Sequence, residues 1–190
     1  MAGVLSGFVL MEKAVPQAAT KFALTTQADP TTIIDLVFHV KDNENAKLED
    51  ILQSVSDPTS QNYGKHLSKS EVDALTENPQ AVKATMTFLE SVPGVTIAKG
   101  HPYHISASAT VATWEAALST SFYNYEKVDE NGTKLTVIRT AEYSLPEAVA
   151  QHVSSVYNTV QFPVDLTHKG PVVRPLAHHA HVATSQDNTK

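Results

Sequence analysis

Thirteen residues, Ser56-Asp57-Pro58-Thr59-Ser60-Gln61-Asn62-Tyr63-Gly64-Lys65-His66-Leu67-Ser68, constrain the fold of this chain more than any other stretch. Asp57-Pro58 stops a preceding helix, because the residue before proline is pushed out of the α region. Asn62 and Gly64 can supply positive φ. Ser68 opens a new helix, and Glu71 three residues on closes a capping box. The stretch predicts a structured corner between two helices, with Tyr63 and Leu67 as inward anchors. Spacing alone makes it a connection; a binding or catalytic loop is the alternative.

The flanks supply the elements that this corner joins. Ile33 to Val40 reads as a strand, with Ile34, Leu36, Phe38 and Val40 as the apolar face against Ile33, Asp35, Val37 and His39. Asn43 to Val55 reads as a helix capped by Asn43, with Leu48, Ile51, Leu52 and Val55 on one side. After the corner, a short helix from about Ser68 to Leu75 turns Val72 and Leu75 inward. Asn78-Pro79 starts another helix, with proline at its first position. That helix carries Val82, Met86, Phe88 and Leu89 and ends before Pro93-Gly94. Val95–Lys99 and Tyr103–Ala109 read as strands, and Thr110 caps a helix holding Val111, Trp114 and Leu118. Phe122–Val128 and Lys134–Thr140 form a hairpin across Asn131-Gly132. Leu145-Pro146 begins a last helix to about Val153 or Ser155, and Tyr157 to Phe162 reads as a closing strand.

This order predicts an α+β fold, a ferredoxin-like βαββαβ antiparallel sheet with helices on one face and an added hairpin strand. Three segments are expected: a poorly ordered lead-in over 1–21, a domain over 22–163, and a linker or tail over 164–190. Met1 to Met11 is mildly apolar but has no basic leading region and no small-residue cleavage site before Glu12. It reads as a weak or missing signal peptide. A short strand is expected at Phe22 to Thr25.

Composition removes several function classes. The net charge of −6, with only Arg139 and Arg174 as arginines, argues against nucleic acid as a partner. No apolar run reaches the ~18–20 residues that span a bilayer, so no membrane partner is expected. The absence of cysteine excludes disulfides, thiol catalysis and zinc–thiolate sites. Nine histidines stand out: nine added protons take the formal charge from −6 to +3. Imidazoles titrate near ~6.5 when unperturbed, so this surface changes character between neutral and mildly acidic conditions.

No self-contained active site is legible. His101 and His104 are spaced as a metal pair, but a bland strand and turn fits them better without a neighbouring thiol or carboxylate. His178, His179 and His181 sit together in the tail and receive no role. The seven glycines form no phosphate loop, so no cofactor is expected. Trp114 reads as core. Asn131-Gly132-Thr133 is an N-glycosylation sequon on an exposed turn, consistent with a secretory route.

The corner closely resembles the signature of the pro-kumamolisin activation domain, the N-terminal propeptide of the sedolisin (serine-carboxyl) peptidases. The matching residues are Val55, Ser56, Asp57, Pro58, Ser60, Asn62, Tyr63, Gly64, Lys65, His66 and Leu67, then Glu71-Val72. Val15-Pro16, Ala28-Asp29-Pro30, Pro79, Phe88-Leu89, Trp114-Glu115, Phe122-Tyr123 and Tyr143-Ser144-Leu145-Pro146 fall in the family's order. A departure is the lack of Gly-Trp just after Val15-Pro16. The resemblance implies a chain that helps a peptidase fold, covers its cleft and is cut away at acidic pH, in a secreted or lysosomal setting. It implies a sedolisin-type catalytic domain as partner, in cis or in trans. The family's catalytic serine lies in Gly-Thr-Ser, whereas here the only Gly-Thr continues as Gly132-Thr133-Lys134. Catalytic residues and calcium are therefore assigned to the family's peptidase domain and not to this chain. A stand-alone protease inhibitor and a ferredoxin-like interaction module are the alternative readings.

Overall fold

In the computed structural model the described residues are 7–14, 22–43, 46–98, 103–128 and 132–163. At their centre is β3 (Ile33–Val40), because its alternation leaves one wholly apolar side. Leu36, Phe38 and Val40 are buried on that side, while Ile33 and Asp35 face out. β5 (His104–Thr110) repeats the pattern, burying Ile105, Ala107 and Ala109. The two strands pair antiparallel in the register that puts both apolar sets on one face, as His39↔His104 and Leu36↔Ala107 show. β9 (Val153–Tyr157) flanks β3 and β4 (Thr96–Ala98) flanks β5, giving the order β4-β5-β3-β9.

Helices cover the apolar face. α3 (Pro79–Ser91) starts as its sequence dictates, with proline in the first turn and the Asn78 side chain accepting from the Ala81 amide at 3.1 Å. α4 (Val111–Leu118) is capped by Thr110, and its Trp114 is fully buried. The indole of Trp114 donates to the Ile34 carbonyl at 3.1 Å and packs 5.8 Å from the Phe38 ring. Each such buried side chain contributes roughly 1.5–3 kcal/mol relative to exposure.

Two smaller sheets complete an α+β architecture of antiparallel strands and five described helices. β2 (Ala23–Gln27), β6 (Tyr123–Val128) and β7 (Lys134–Arg139) form one, in the order β2-β6-β7. β1 (Phe8–Lys13) pairs antiparallel with β8 (Glu142–Pro146) in the other. Residues 8–13 are thus a strand and not a poorly ordered lead-in. The reason is the buried β8 partner residue Tyr143, whose hydroxyl donates to Glu12 at 2.5 Å. The chain then turns through α5 (Glu147–Ala150) into β9. The last helix is therefore shorter than expected, and the closing strand lies at 153–157, where Val153 and Val156 complete the core.

The first two helices also depart from their expected form. α1 (Leu48–Ser56) starts at Lys47, which adopts a left-handed φ of 46° and gives no side-chain cap. Asn43 is engaged elsewhere: its amide donates to the Thr76 carbonyl and its side chain to the Leu75 carbonyl. α2 (Lys69–Thr76) has the expected capping box, with the Ser68 amide donating to Glu71 at 2.8 Å. Thr76, and not Leu75, is its buried residue.

Candidate functional site

β3 and β5 bury one face and leave the other open. The open face carries Asp35, Val37 and His39 from β3, His104, Ser106 and Ser108 from β5, and Ser155 and Tyr157 from β9. His39 and His104 are direct cross-strand partners, with Nδ1 of His39 3.2 Å from Nε2 of His104. Their ring centroids are 4.7 Å apart, and the exposed Tyr157 ring lies 6.1 Å from each. Ser108 donates to the Asp35 carboxylate beside them. The result is a half-buried surface of imidazoles, hydroxyls and one carboxylate, mounted on the central strands of the main sheet.

The sequence grouped His104 with His101; the structure groups it with His39. His101 lies outside the described residues. The signal for the true pair was present: His39 and His104 each occupy the polar phase of an alternating strand, and antiparallel pairing sets them opposite. Among the described residues no three His, Asp or Glu groups gather as a metal site.

At the signature corner, Asp57 accepts from the Thr59 amide (2.8 Å) and hydroxyl (2.7 Å). These bonds hold its carboxyl below the usual range. The bond from the Ser68 hydroxyl, helped by the one from the Ser68 amide, does the same for Glu71. Gly64 has φ +74° and its amide donates to the Val55 carbonyl at 2.9 Å. Asn62 donates to Ser54 Oγ at 3.0 Å, and its amide to Ser60 Oγ at 3.1 Å. Pro58, Lys65, His66 and Ser56 are exposed. Tyr63 is not an inward anchor: it is 57% exposed, and Leu67 is only half-buried. Polar side chains, Ser60 and Asn62, take the positions turned back toward α1, which leaves the phenol outward. Asn131 and the histidines at 178, 179 and 181 lie outside the described residues; Gly132, the middle residue of the sequon, has φ +81°.

The chain leaves the domain through a pinned segment that the sequence did not flag. The Thr140 amide donates to the Thr159 carbonyl at 3.0 Å. Arg139 Nε donates to the Gln161 carbonyl at 2.5 Å, and burial holds its guanidinium below its ordinary value. Phe162 then inserts between Phe22 (5.3 Å) and Tyr125 (4.9 Å). Burial, and then Tyr123, push the Tyr125 phenol up.

These features define an α+β domain with one covered sheet face, one open polar face and a pinned exit. The chain belongs to the pro-kumamolisin activation-domain family: the family model described as "Pro-kumamolisin, activation domain" matches residues 20–162. Among curated proteins it is 31% identical to the tripeptidyl-peptidase SED4 of Arthroderma otae, over 84% of this chain and 24% of that protein. It is 31% identical to the probable tripeptidyl-peptidase SED2 of Arthroderma benhamiae, over 78% of this chain and 25% of that protein. It is 28% identical to tripeptidyl-peptidase 1 of Mus musculus, over 72% of this chain and 25% of that protein. The chain thus spans about a quarter of the length of the curated relatives it matches. No described helix is long and apolar enough to cross a membrane.

Proposed function

We propose that this chain acts as the propeptide of a sedolisin-type acid peptidase of the secretory or lysosomal route. It assists folding of the peptidase portion, inhibits it at neutral pH and is removed on acidification. The match of residues 20–162 to the activation-domain family carries this reading. The sheet order β9-β3-β5-β4, with α1–α3 and α4 as the two crossovers, supports a ferredoxin-like core beneath it.

The open sheet face docks on the peptidase portion, in cis or in trans. The segment after Pro163 lies in the substrate cleft, and tethering at the Phe162 exit raises its effective concentration there. Acid acts on the docked face. Protonating both His39 and His104 sets two cations on nitrogens 3.2 Å apart. Like-charge repulsion grows as a partner excludes water from the face. Asp35 and Tyr157 are the other titratable groups that β3, β5 and β9 present there among the described residues; β4 adds Thr96 and Ala98.

The test is inhibition of the A. otae SED4 peptidase, freed of its own activation domain, by the full chain at pH 7 and pH 4. Strong inhibition at pH 7 and weak inhibition at pH 4 is expected. Equal inhibition at both values removes the acid step, and none at either removes the propeptide reading. A His39→Gln, His104→Gln variant should inhibit with a shallower pH dependence.

A further inference from the structure

Among the described residues β1 pairs with β8 and with no other strand, which leaves one side of its backbone open. The register decides which groups lie on that side. The Glu147 amide donates to the Gly7 carbonyl at 2.9 Å, and Phe8 stands opposite Pro146, which has no N–H to give. Bonded and non-bonded pairs alternate in an antiparallel ladder. Val9 therefore bonds to Leu145, while the amides and carbonyls of Phe8 and Leu10 turn away from β8. The side chains along this open edge are apolar and half in solvent: Phe8 is 49% exposed, Val9 41% and Leu10 47%.

Unpaired backbone groups in a row are recognised by another extended strand. The other described sheet edges are blunted against this. β4 is three residues long, β2 and β7 carry Thr, Gln, Lys and Arg, and β9 places two serines between its buried valines. Among the described edges, β1 alone sets three consecutive exposed apolar side chains beside outward backbone groups. Its own protection begins only at the bulge between Leu10 and Glu12 and at the charges of Glu12 and Lys13.

We propose that this edge pairs with the same edge of a second copy of the chain, antiparallel about a two-fold axis through Val9. In that register Phe8 faces Leu10 of the second copy and Leu10 faces its Phe8. Outward groups meet outward groups, and each pair can exchange both of its bonds. Val9 meets its own counterpart as the closely spaced non-bonded pair, so every exposed apolar residue of the edge gains an apolar neighbour. The surface is self-complementary, as a two-fold interface requires. A shift by two residues fails: Phe8 would then face Glu12, whose backbone the bulge has turned toward β8. Glu12 and Lys13 lie beyond the paired segment, so no like charges are opposed within it. The two β1–β8 ribbons become one continuous sheet. The segment is short, so the dimer belongs to the small, weak class of interfaces. Pairing needs no peptidase and stands apart from the propeptide reading.

Sedimentation of the full chain from about 10 µM to about 1 mM, the regime of a small interface, should show a reversible monomer–dimer equilibrium. Val9→Lys sets like charges opposite each other across the axis and should weaken the dimer by at least about 10-fold. At the lowest concentration this variant should melt with the unmodified chain, because Val9 is exposed in the monomer. Hydrogen exchange reads the geometry in the unmodified chain. As concentration rises, the amides of Phe8 and Leu10 should gain protection, whereas that of Val9, already bonded to β8, should not. A chain that stays monomeric throughout overturns the proposal. So does a dimer that leaves Phe8 and Leu10 exchanging freely, or one that persists undiminished in Val9→Lys. If the chain alone is monomeric and the SED4 peptidase portion protects these two amides, the edge belongs to a strand of the peptidase and self-pairing falls. Inhibition of SED4 at pH 7 tests the propeptide reading separately, and none of these results decides it.

Discussion

Tyr143→Phe removes one oxygen from the centre of the domain and should be costly. The side chain is fully buried in β8. Its hydroxyl donates to Glu12 on β1 at 2.5 Å and accepts from the Val156 amide on β9 at 2.8 Å. One atom therefore ties the β1–β8 ribbon to the main sheet. Loss of the charge-assisted bond costs about 1.5 kcal/mol, the low end of its range, because the half-buried Glu12 can be rehydrated. The Val156 amide is left buried without its partner, which costs a further ~1–3 kcal/mol. The sum, about 2.5–4.5 kcal/mol, lowers Tm by roughly 5–18 °C in a domain of this size. Urea unfolding followed by Trp114 fluorescence and by circular dichroism measures it. Glu12→Gln keeps an acceptor and should cost less. Burial first, and then the bond to Glu12, push the Tyr143 phenol up from its ordinary value of 10.0. The folded state then keeps a proton that the unfolded chain releases, so this stabilisation is complete below pH ~10 and declines above it. Tyr143→Phe should flatten that alkaline decline. A Tm within 2 °C of the unmodified protein would refute the reasoning.

Three further outcomes test the corner and the core. Gly64→Ala places a Cβ where nothing lies within 4 Å, so only the φ of +74° opposes it. The strain of about 1–2 kcal/mol, less the entropy gain of ~0.4–1 kcal/mol in the unfolded chain, leaves about 1 kcal/mol of destabilisation in urea melts; a fully stable variant would sink the strain argument. The Glu71 carboxyl is held below its ordinary value of 4.5 by its bonds to Ser68. Its contribution is therefore present above pH ~4.5 and lost as pH falls through the lower folded value, and Glu71→Gln should reduce the acid slope of Tm between pH 5 and 2.5. Trp114→Phe removes the bond to Ile34 and leaves a void beside Phe38; a loss of roughly 2–3 kcal/mol is expected, read as a lower urea midpoint.

Much of the main sheet is legible in the chain because period-two alternation has one physical solution. Once Leu36, Phe38 and Val40 must be buried, the alternation puts His39 and His104 on the same open face, and the observed register sets them opposite each other. The caps at Ser68, Asn78 and Thr110 are equally local, since each needs only an oxygen within three residues of an amide. What local reading misses depends on distant partners. Phe8–Lys13 looks like a leader by composition, and only Tyr143, about 130 residues later, makes it a strand. The pinned exit is of the same kind: Arg139 and Phe162 are unremarkable in sequence and acquire their role from Gln161, Phe22 and Tyr125.

The corner shows the opposite case, in which a strong local pattern invites the wrong long-range conclusion. Its turn chemistry reads correctly at Asp57, Gly64 and Ser68, whereas Asn62 keeps a negative φ and acts through its hydrogen bonds instead; the assumption that its large side chains point inward does not hold either. A corner that needs only to connect two helices has no use for a tyrosine in solvent, because an exposed aromatic there gains no burial. The hydrogen bonds of Ser60 and Asn62 to α1 already close the turn without Tyr63. Folding of this domain therefore accounts for Asp57, Asn62, Gly64 and Ser68, and leaves Tyr63 unexplained.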